Sequence, residues 1–288
     1  MKRIDHPTFG PGGNSESFYD EGFKSTLQAP GWLQARGLDA YEYQAGNGLT
    51  AGEATLTAIG EKAKEHGILM SLHTPYFISL SGVEEEKRLK SIDYISRSLR
   101  AARCLNADTI VIHTGSAAKI SREEAMALAA DTLTKNLEVN GGTEIRMGLE
   151  TMGKINQLGT LTEVLTLCKI SPLYHPVVDF GHLNARNLGG YFPDCDHYRS
   201  VFDQIANTLG DDYAYNLHCH FSKIEYTSAG EKKHLTFADT VYGPDFEPLA
   251  EAIVREGVCP RIICESAGTM AEDALNMKNM WKSTGGIS

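Results

Sequence analysis

Eight short apolar runs, each followed by a longer segment with helical spacing, constrain this chain more than any other feature. The runs are RIDHPTF (3–9), DAYEYQ (39–44), ILMSLHT (68–74), TIVIHT (109–114), IRMGLET (145–151), HPVVDF (175–180), YNLHCHF (215–221) and RIICES (261–266). Runs this short and apolar suit strands that are buried on both faces. Between them, segments such as TAGEATLTAIGEKAKEHG and VEEEKRLKSIDYISRSLRAARCLN set apolar residues three and four apart, with charges on the opposite face. That is the pattern of a helix laid on a core. Gly67 and Asn106 close two of these segments, as residues tolerant of a left-handed helix end do. Strand and helix alternating eight times predict an α/β fold, a closed parallel (β/α)8 barrel. The 288 residues, 42% of them hydrophobic, are enough for one such core. With no Pro/Ser-rich linker, the expectation is one domain over residues 1–288. The competing open doubly wound sheet needs a glycine-rich phosphate loop after its first strand; GPGGN (10–14) lacks that spacing.

The remaining bulk properties narrow the setting. No stretch approaches the roughly 20 apolar residues of a membrane-spanning helix, and MKRIDHPTFGPGG has no apolar export core. Six scattered cysteines form no CxxC pair, which suits a reducing compartment. The expectation is a soluble, cytoplasmic monomer with no membrane partner. A formal charge of −10 argues against general polyanion binding, although bound divalent cations would offset it.

The polar residues at the ends of the expected strands share one theme. His73 ends the third, His113 the fourth, Glu150 the fifth, Asp179 the sixth, His218 and His220 lie on the seventh, and Glu265 ends the eighth. In a (β/α)8 barrel these carboxyl ends meet at one mouth. A single histidine at a strand end is more often a hydrogen-bonded core residue than a ligand. Six strand ends in succession carrying ionisable groups are costly to bury together unless cations compensate. Imidazole and carboxylate without thiolate suit Zn, with Mn or Fe as alternatives, and more ligands than one tetrahedral ion uses imply two or three divalent ions. His218 and His220 are two apart and face the same way; His220 is nearer the mouth, and His218 lies one layer deeper. The following loop, SKIEYTSAGEKKHLTFAD, is long enough to fold back and bring Glu231 and His234 to the site, or else is a solvated charged turn.

These segments resemble the endonuclease IV family of apurinic/apyrimidinic endonucleases, within the xylose isomerase-like barrel superfamily. HTPYFISL is similar to the family's third-strand His followed by Tyr, IVIHTGS to its His-x-Gly-Ser, GLETMGKINQLGTLTEVL to its Glu segment, VVDFGHLNA to its Asp-x-x-His and IICES to its last-strand Glu. The resemblance implies three ions. His73 and His113 would hold the first, Glu150 would bridge first and second, Asp179, His220 and Glu265 would complete the second, and His182, Glu231 and His234 would hold the third. It implies cleavage of DNA at abasic sites by a metal-dependent hydrolase of base excision repair, with Glu150 or Glu265 orienting the water and Tyr76 stacking at the rim of the pocket. The sequence departs from the family in three places. Its third-ion pair is Glu231 and His234, separated by two lysines; YQAGNGLTAG offers no arginine after strand two; and the opening strand reads HPTFGPGG. Two alternatives stand beside the nuclease: a sugar isomerase or epimerase using one ion on Glu150, Asp179, His220 and Glu265, and a non-catalytic metal-binding barrel.

Overall fold

In the computed structural model, which describes residues 5–287, the sequence alternation becomes one eight-stranded sheet rolled almost shut. Its strands are β1 (Thr8–Pro11), β2 (Ala40–Gln44), β3 (Leu69–His73), β4 (Thr109–His113), β5 (Arg146–Glu150), β6 (Tyr174–Asp179), β7 (His218–Phe221) and β10 (Arg261–Cys264). A separate antiparallel hairpin consists of β8 (Ile224–Thr227) and β9 (Gly230–His234). The sheet order is β1-β10-β7-β6-β5-β4-β3-β2, and every neighbouring pair is parallel. Between the first and last strands the seam is stitched by a parallel bridge from Gly12 to Glu42 and by Gly13 N donating to Glu42 O at 3.0 Å. Helices such as Glu53–Glu65, Glu85–Cys104 and Arg122–Asn140 cover the outside. Among the described residues, no helix is long and apolar enough to cross a membrane.

Seven of the eight expected strands lie where the apolar runs place them. The first is displaced: β1 occupies Thr8–Pro11 instead of 3–9, and residues 3 and 4 lie outside the described residues. Gly10 and Pro11 read as punctuation in the sequence, but Gly10 is a strand residue. A Cβ there would sit 1.8 Å from Ala40 O, so only glycine lets β1 lie this close to β2. The second difference is the hairpin. SKIEYTSAGEKKHLTFAD reads as a loop, yet Ile224–Thr227 and Gly230–His234 pair as strands, with Glu225 opposite Lys233 and Tyr226 opposite Glu231.

Two features of the barrel position its mouth. At the opposite end, where the strands begin, Arg261 donates from both terminal nitrogens to Asp108 at 2.8 Å, and Arg146 donates to the same carboxylate at 3.3 Å. Above β5, the loop leaving Glu150 is clamped by two arginines. Arg186 donates to the carbonyls of Met152, Lys154, Ile155 and Gln157, and Arg122 donates to Ile155 O, Gln157 O and the Glu163 carboxylate. Glu163 also closes a capping box with Thr160 at the start of helix Leu161–Cys168. Orphan amides of that helix are thereby satisfied, and the loop's carbonyls gain charged donors.

Candidate metal centre

Strand register brings the polar residues together. His113 pairs with Glu150 across β4 and β5, Asp179 with His220 across β6 and β7, and Gln44 with His73 across β2 and β3. Residues side by side in a parallel sheet point to the same face, so these side chains enter the barrel mouth together. Asp179 has a second task, because it is also the N-cap of helix Phe180–Arg186, its Oδ1 accepting from His182 N at 2.7 Å. That cap explains the Asp-x-x-His spacing: the first helical turn swings His182 back over the carboxylate that starts it.

Three ligand-type groupings result at the mouth. In the first, His73 Nε2 and His113 Nε2 lie 3.5 and 3.1 Å from Glu150 Oε2. In the second, His220 Nδ1 lies 2.9 Å from Glu150 Oε1 and 3.6 Å from Glu265 Oε2, with Asp179 completing the set. In the third, His182 Nε2 and His234 Nε2 lie 3.4 and 4.0 Å from Glu231 Oε2 and Oε1. Within each grouping the donor atoms lie within 4.8 Å of one another. All nine residues expected as ligands are thus brought to one mouth.

The hairpin delivers the third grouping by the device its sequence requires. Glu231 and His234 are three apart, which on a regular strand would put them on opposite faces. The register shift opposite Glu225 and Tyr226 leaves Lys232 without a cross-strand partner. This extra residue turns both ligands to one side. Gly230, at φ 89°, supplies the backbone turn ahead of them.

The donor set fits divalent ions. Glu150 Oε2 and Asp179 Oδ2 are buried and accept no hydrogen bond, although His113 Nε2 stands 3.1 Å from Glu150 Oε2. Two ligands of one tetrahedral ion, each about 2.0–2.1 Å from it, stand about 3.3 Å apart. His73 Nδ1 and His182 Nδ1 face the carbonyls of Thr74 and Thr151 at 3.0 and 2.9 Å. Donation to those carbonyls leaves both Nε2 lone pairs turned to the mouth.

The charges are out of balance without cations. Burial disfavours the imidazolium of His73, but the Glu150 carboxylate outweighs it and pushes the pKa up to about 9. Burial likewise opposes the His182 imidazolium, and Asp179 and Glu231 raise it to about 9. Burial raises the Asp179 carboxyl against the pull of His182. Protons therefore stand where cations would, and ion binding displaces them.

Tyr76 lies at the rim, 57% exposed, its ring stacked on His113 at 5.3 Å between centroids. Two cavities adjoin there and share Tyr76, His234 and Glu265. One, of about 360 Å³, opens over the three groupings and reaches Lys154. The other, of about 540 Å³, is walled by Gln44, Asn47, Thr50 and Ser266, with no Lys or Arg among the described residues that line it. Glu42 escapes the reading from the sequence. It lies mid-strand rather than at a strand end, is fully buried and stands among Ser71, His218 and His220. The available signal is its parity with Ala40 and Gln44 on β2, which turns it inward.

Known proteins give the following likenesses. A family model described as xylose isomerase-like TIM barrel matches residues 31–280. An uncharacterized protein of Methanocaldococcus jannaschii is 30% identical over 225 residues, covering 76% of this chain and 80% of its own length. A probable endonuclease 4 of Mycoplasma pneumoniae is 33% identical over 191 residues, covering 61% of this chain and 60% of its own length. The chain therefore spans less than two thirds of that relative. Among solved structures, endonuclease IV from Thermus thermophilus superposes with TM-score 0.69 at 16% identity, over 96% of this chain and 98% of that one. A D-psicose 3-epimerase solved in the presence of D-fructose gives TM-score 0.68 at 14% identity, over 96% and 99%. Fold alone does not separate the two chemistries.

Proposed function

Because the chain belongs to the xylose isomerase-like TIM barrel family, whose fold serves more than one chemistry, we propose from the site itself that it is a divalent-metal-dependent phosphodiesterase that cleaves DNA at abasic sites. The observation carrying this reading is the third grouping. The one-ion isomerase alternative uses Glu150, Asp179, His220 and Glu265, and His182, Glu231 and His234 add three ligand atoms beyond that set.

Bound divalent ions, Zn by the donor chemistry, would polarise the scissile phosphate, acidify a water and offset charge on the departing oxygen. The chain's own groups supply the rest. Glu150 offers one oxygen to each of the first two groupings, so its carboxylate fixes their spacing. Glu265 lines both cavities and is placed to orient a water or take its proton. Lys154 offers a cation to the phosphate. The larger cavity, rich in hydroxyls and amides and edged by Glu265 and His234, has room for an unpaired deoxyribose turned out of the duplex, with Tyr76 stacking at its entrance.

One observation favours a second reading. Among its described lining residues the larger cavity presents no Lys or Arg, which suits an uncharged sugar bound beside Glu265, with Glu150 and Glu265 moving a proton as in an epimerase. Elemental analysis and two activity assays decide between them. The nuclease reading expects two or three ions per chain and chelator-sensitive incision of abasic but not intact duplex. One ion per chain, no incision and turnover of a ketose would overturn it.

A further inference from the structure

Glu42 belongs to none of the three groupings at the mouth, yet it is wholly buried where a barrel interior is ordinarily apolar. With His218 and His220 it forms a further cluster of ligand-type atoms one layer below. We infer that Glu42 is a positioning residue that selects which nitrogen of His220 faces the metal centre. A neutral imidazole carries one N–H, and only its other nitrogen can be a ligand. His220 Nδ1 faces Glu150 and Glu265, and Nε2 lies 3.0 Å from Glu42 Oε1. The Nε2–Oε1 contact is close but not aligned as a hydrogen bond, and neither atom has another hydrogen-bond partner; on the other side Nδ1 is within hydrogen-bond reach of Glu150 Oε1 at 2.9 Å, the contact an ion would replace. A carboxylate at Nε2 draws the proton to that side and leaves the Nδ1 lone pair for an ion.

Comparison within the site sharpens the point. His73 and His182 are oriented by main-chain carbonyls on Nδ1 and present Nε2. His220 is turned the other way round and depends on a side chain. That side chain is held in turn: Glu42 Oε2 accepts from Ser71 Oγ at 2.8 Å and faces His218 Nε2 at 3.0 Å. The chain Ser71 and His218 to Glu42 to His220 thus gives His218 its purpose one layer below the mouth.

The inference rests on the second grouping holding an ion and is independent of the substrate. The test uses the full-length chain, Co²⁺ as spectroscopic probe and Zn²⁺ affinity measured against a competing chelator. Glu42→Ala should weaken one ion of the set by about 10–100-fold and change the cobalt absorption bands, leaving the other ions at wild-type affinity. Glu42→Gln, whose amide oxygen still accepts from Nε2–H, should restore most of the affinity. Ser71→Ala should shift it in the same direction as Glu42→Ala by a smaller factor; if Glu42→Ala does not fold, these two variants carry the test. Unchanged affinity and spectrum in every variant that folds overturns the inference. So does loss of a whole additional ion in both Glu42 variants, which would make Glu42 a ligand. A wild-type chain that binds no divalent ion overturns this inference and the metal reading together, whereas failure to cleave abasic DNA leaves these readouts intact.

Discussion

Replacing Gly153 with alanine tests the third grouping without touching any of its ligands. Gly153 does not use the left-handed backbone region, so alanine is conformationally acceptable there. Space is the difficulty. The new Cβ would lie 2.6 Å from Glu231 Cβ, 2.7 Å from Glu231 Oε2 and 3.0 Å from His182 Cδ2. Carbon atoms settle at about 3.5–4.0 Å, so Glu231 must move by about 1 Å, whereas ligand distances tolerate about 0.2 Å. Retreat is hindered because Glu231 N donates to Gly153 O at 3.0 Å, and a bridge joins Lys154 to Gly230. Overpacking of this kind costs about 1–3 kcal/mol, which corresponds to about 5–150-fold weaker binding of the third ion. Chelator competition on purified Gly153→Ala should show one ion weakened and the others unchanged. In the Gly153→Ala/Glu231→Ala double variant the two effects should be far from additive, since both act through one carboxylate. A full complement of ions at wild-type affinity, or parallel loss of all ions, would refute the steric argument.

Three further outcomes are expected. Glu150→Gln should lower phosphodiesterase activity by more than about a hundredfold while circular dichroism and melting stay close to wild type, since it removes a shared charge and no volume; undiminished turnover would remove Glu150 from the centre. Asp108→Asn should destabilise the fold by about 3–5 kcal/mol, because Arg261 is left buried without its counter-ion. Burial opposes the Asp108 carboxylate, but Arg261 outweighs it and holds the carboxyl well below its usual range; the stabilisation is complete above about pH 4 and is lost as pH falls toward the folded pKa, so the variant should show a flatter acid limb in denaturant titrations across pH. Arg186→Ala removes donations to four carbonyls of the loop after β5, two of which, Ile155 and Gln157, Arg122 also holds; it should make residues 152–157 a new proteolytic site, and equal resistance to limited proteolysis would show that Arg122 suffices.

Strand order and mouth were legible because periodicity and strand-end chemistry are local. His73, His113, Glu150, Asp179 and Glu265 each follow or close an apolar run, and parallel register does the rest. Glu231 and His234 were legible as ligand types, and their spacing behind Gly230 calls for a one-residue bulge, which falls at Lys232; that the segment is a paired hairpin and not a loop is what no short-range pattern specifies. Glu42 was missed because Tyr41 and Tyr43 flank it and make β2 look half-exposed, although both of its faces are covered. Its burial is favourable only through partners remote in the chain, Ser71 and His218 standing 29 and 176 positions away and His220 just beyond. Gly10 misled in the opposite sense: a residue that often interrupts strands is here required by one, for lack of room beside Ala40.

The hairpin of residues 224–234 also bears on how such sites are inherited. It lies outside the barrel sheet, yet it brings two of the third grouping's three ligands, while the first two groupings stand on the barrel strands and the residues just beyond them. Insertion or loss of this one excursion would therefore change the set of ligand-type groups without disturbing a single barrel strand. Ligand set and fold become separately heritable traits, and a barrel of this kind can pass between a mouth with all three groupings and one with the first two alone by editing a surface ribbon. Grafting residues 224–234 onto a related barrel that lacks them is the corresponding engineering route.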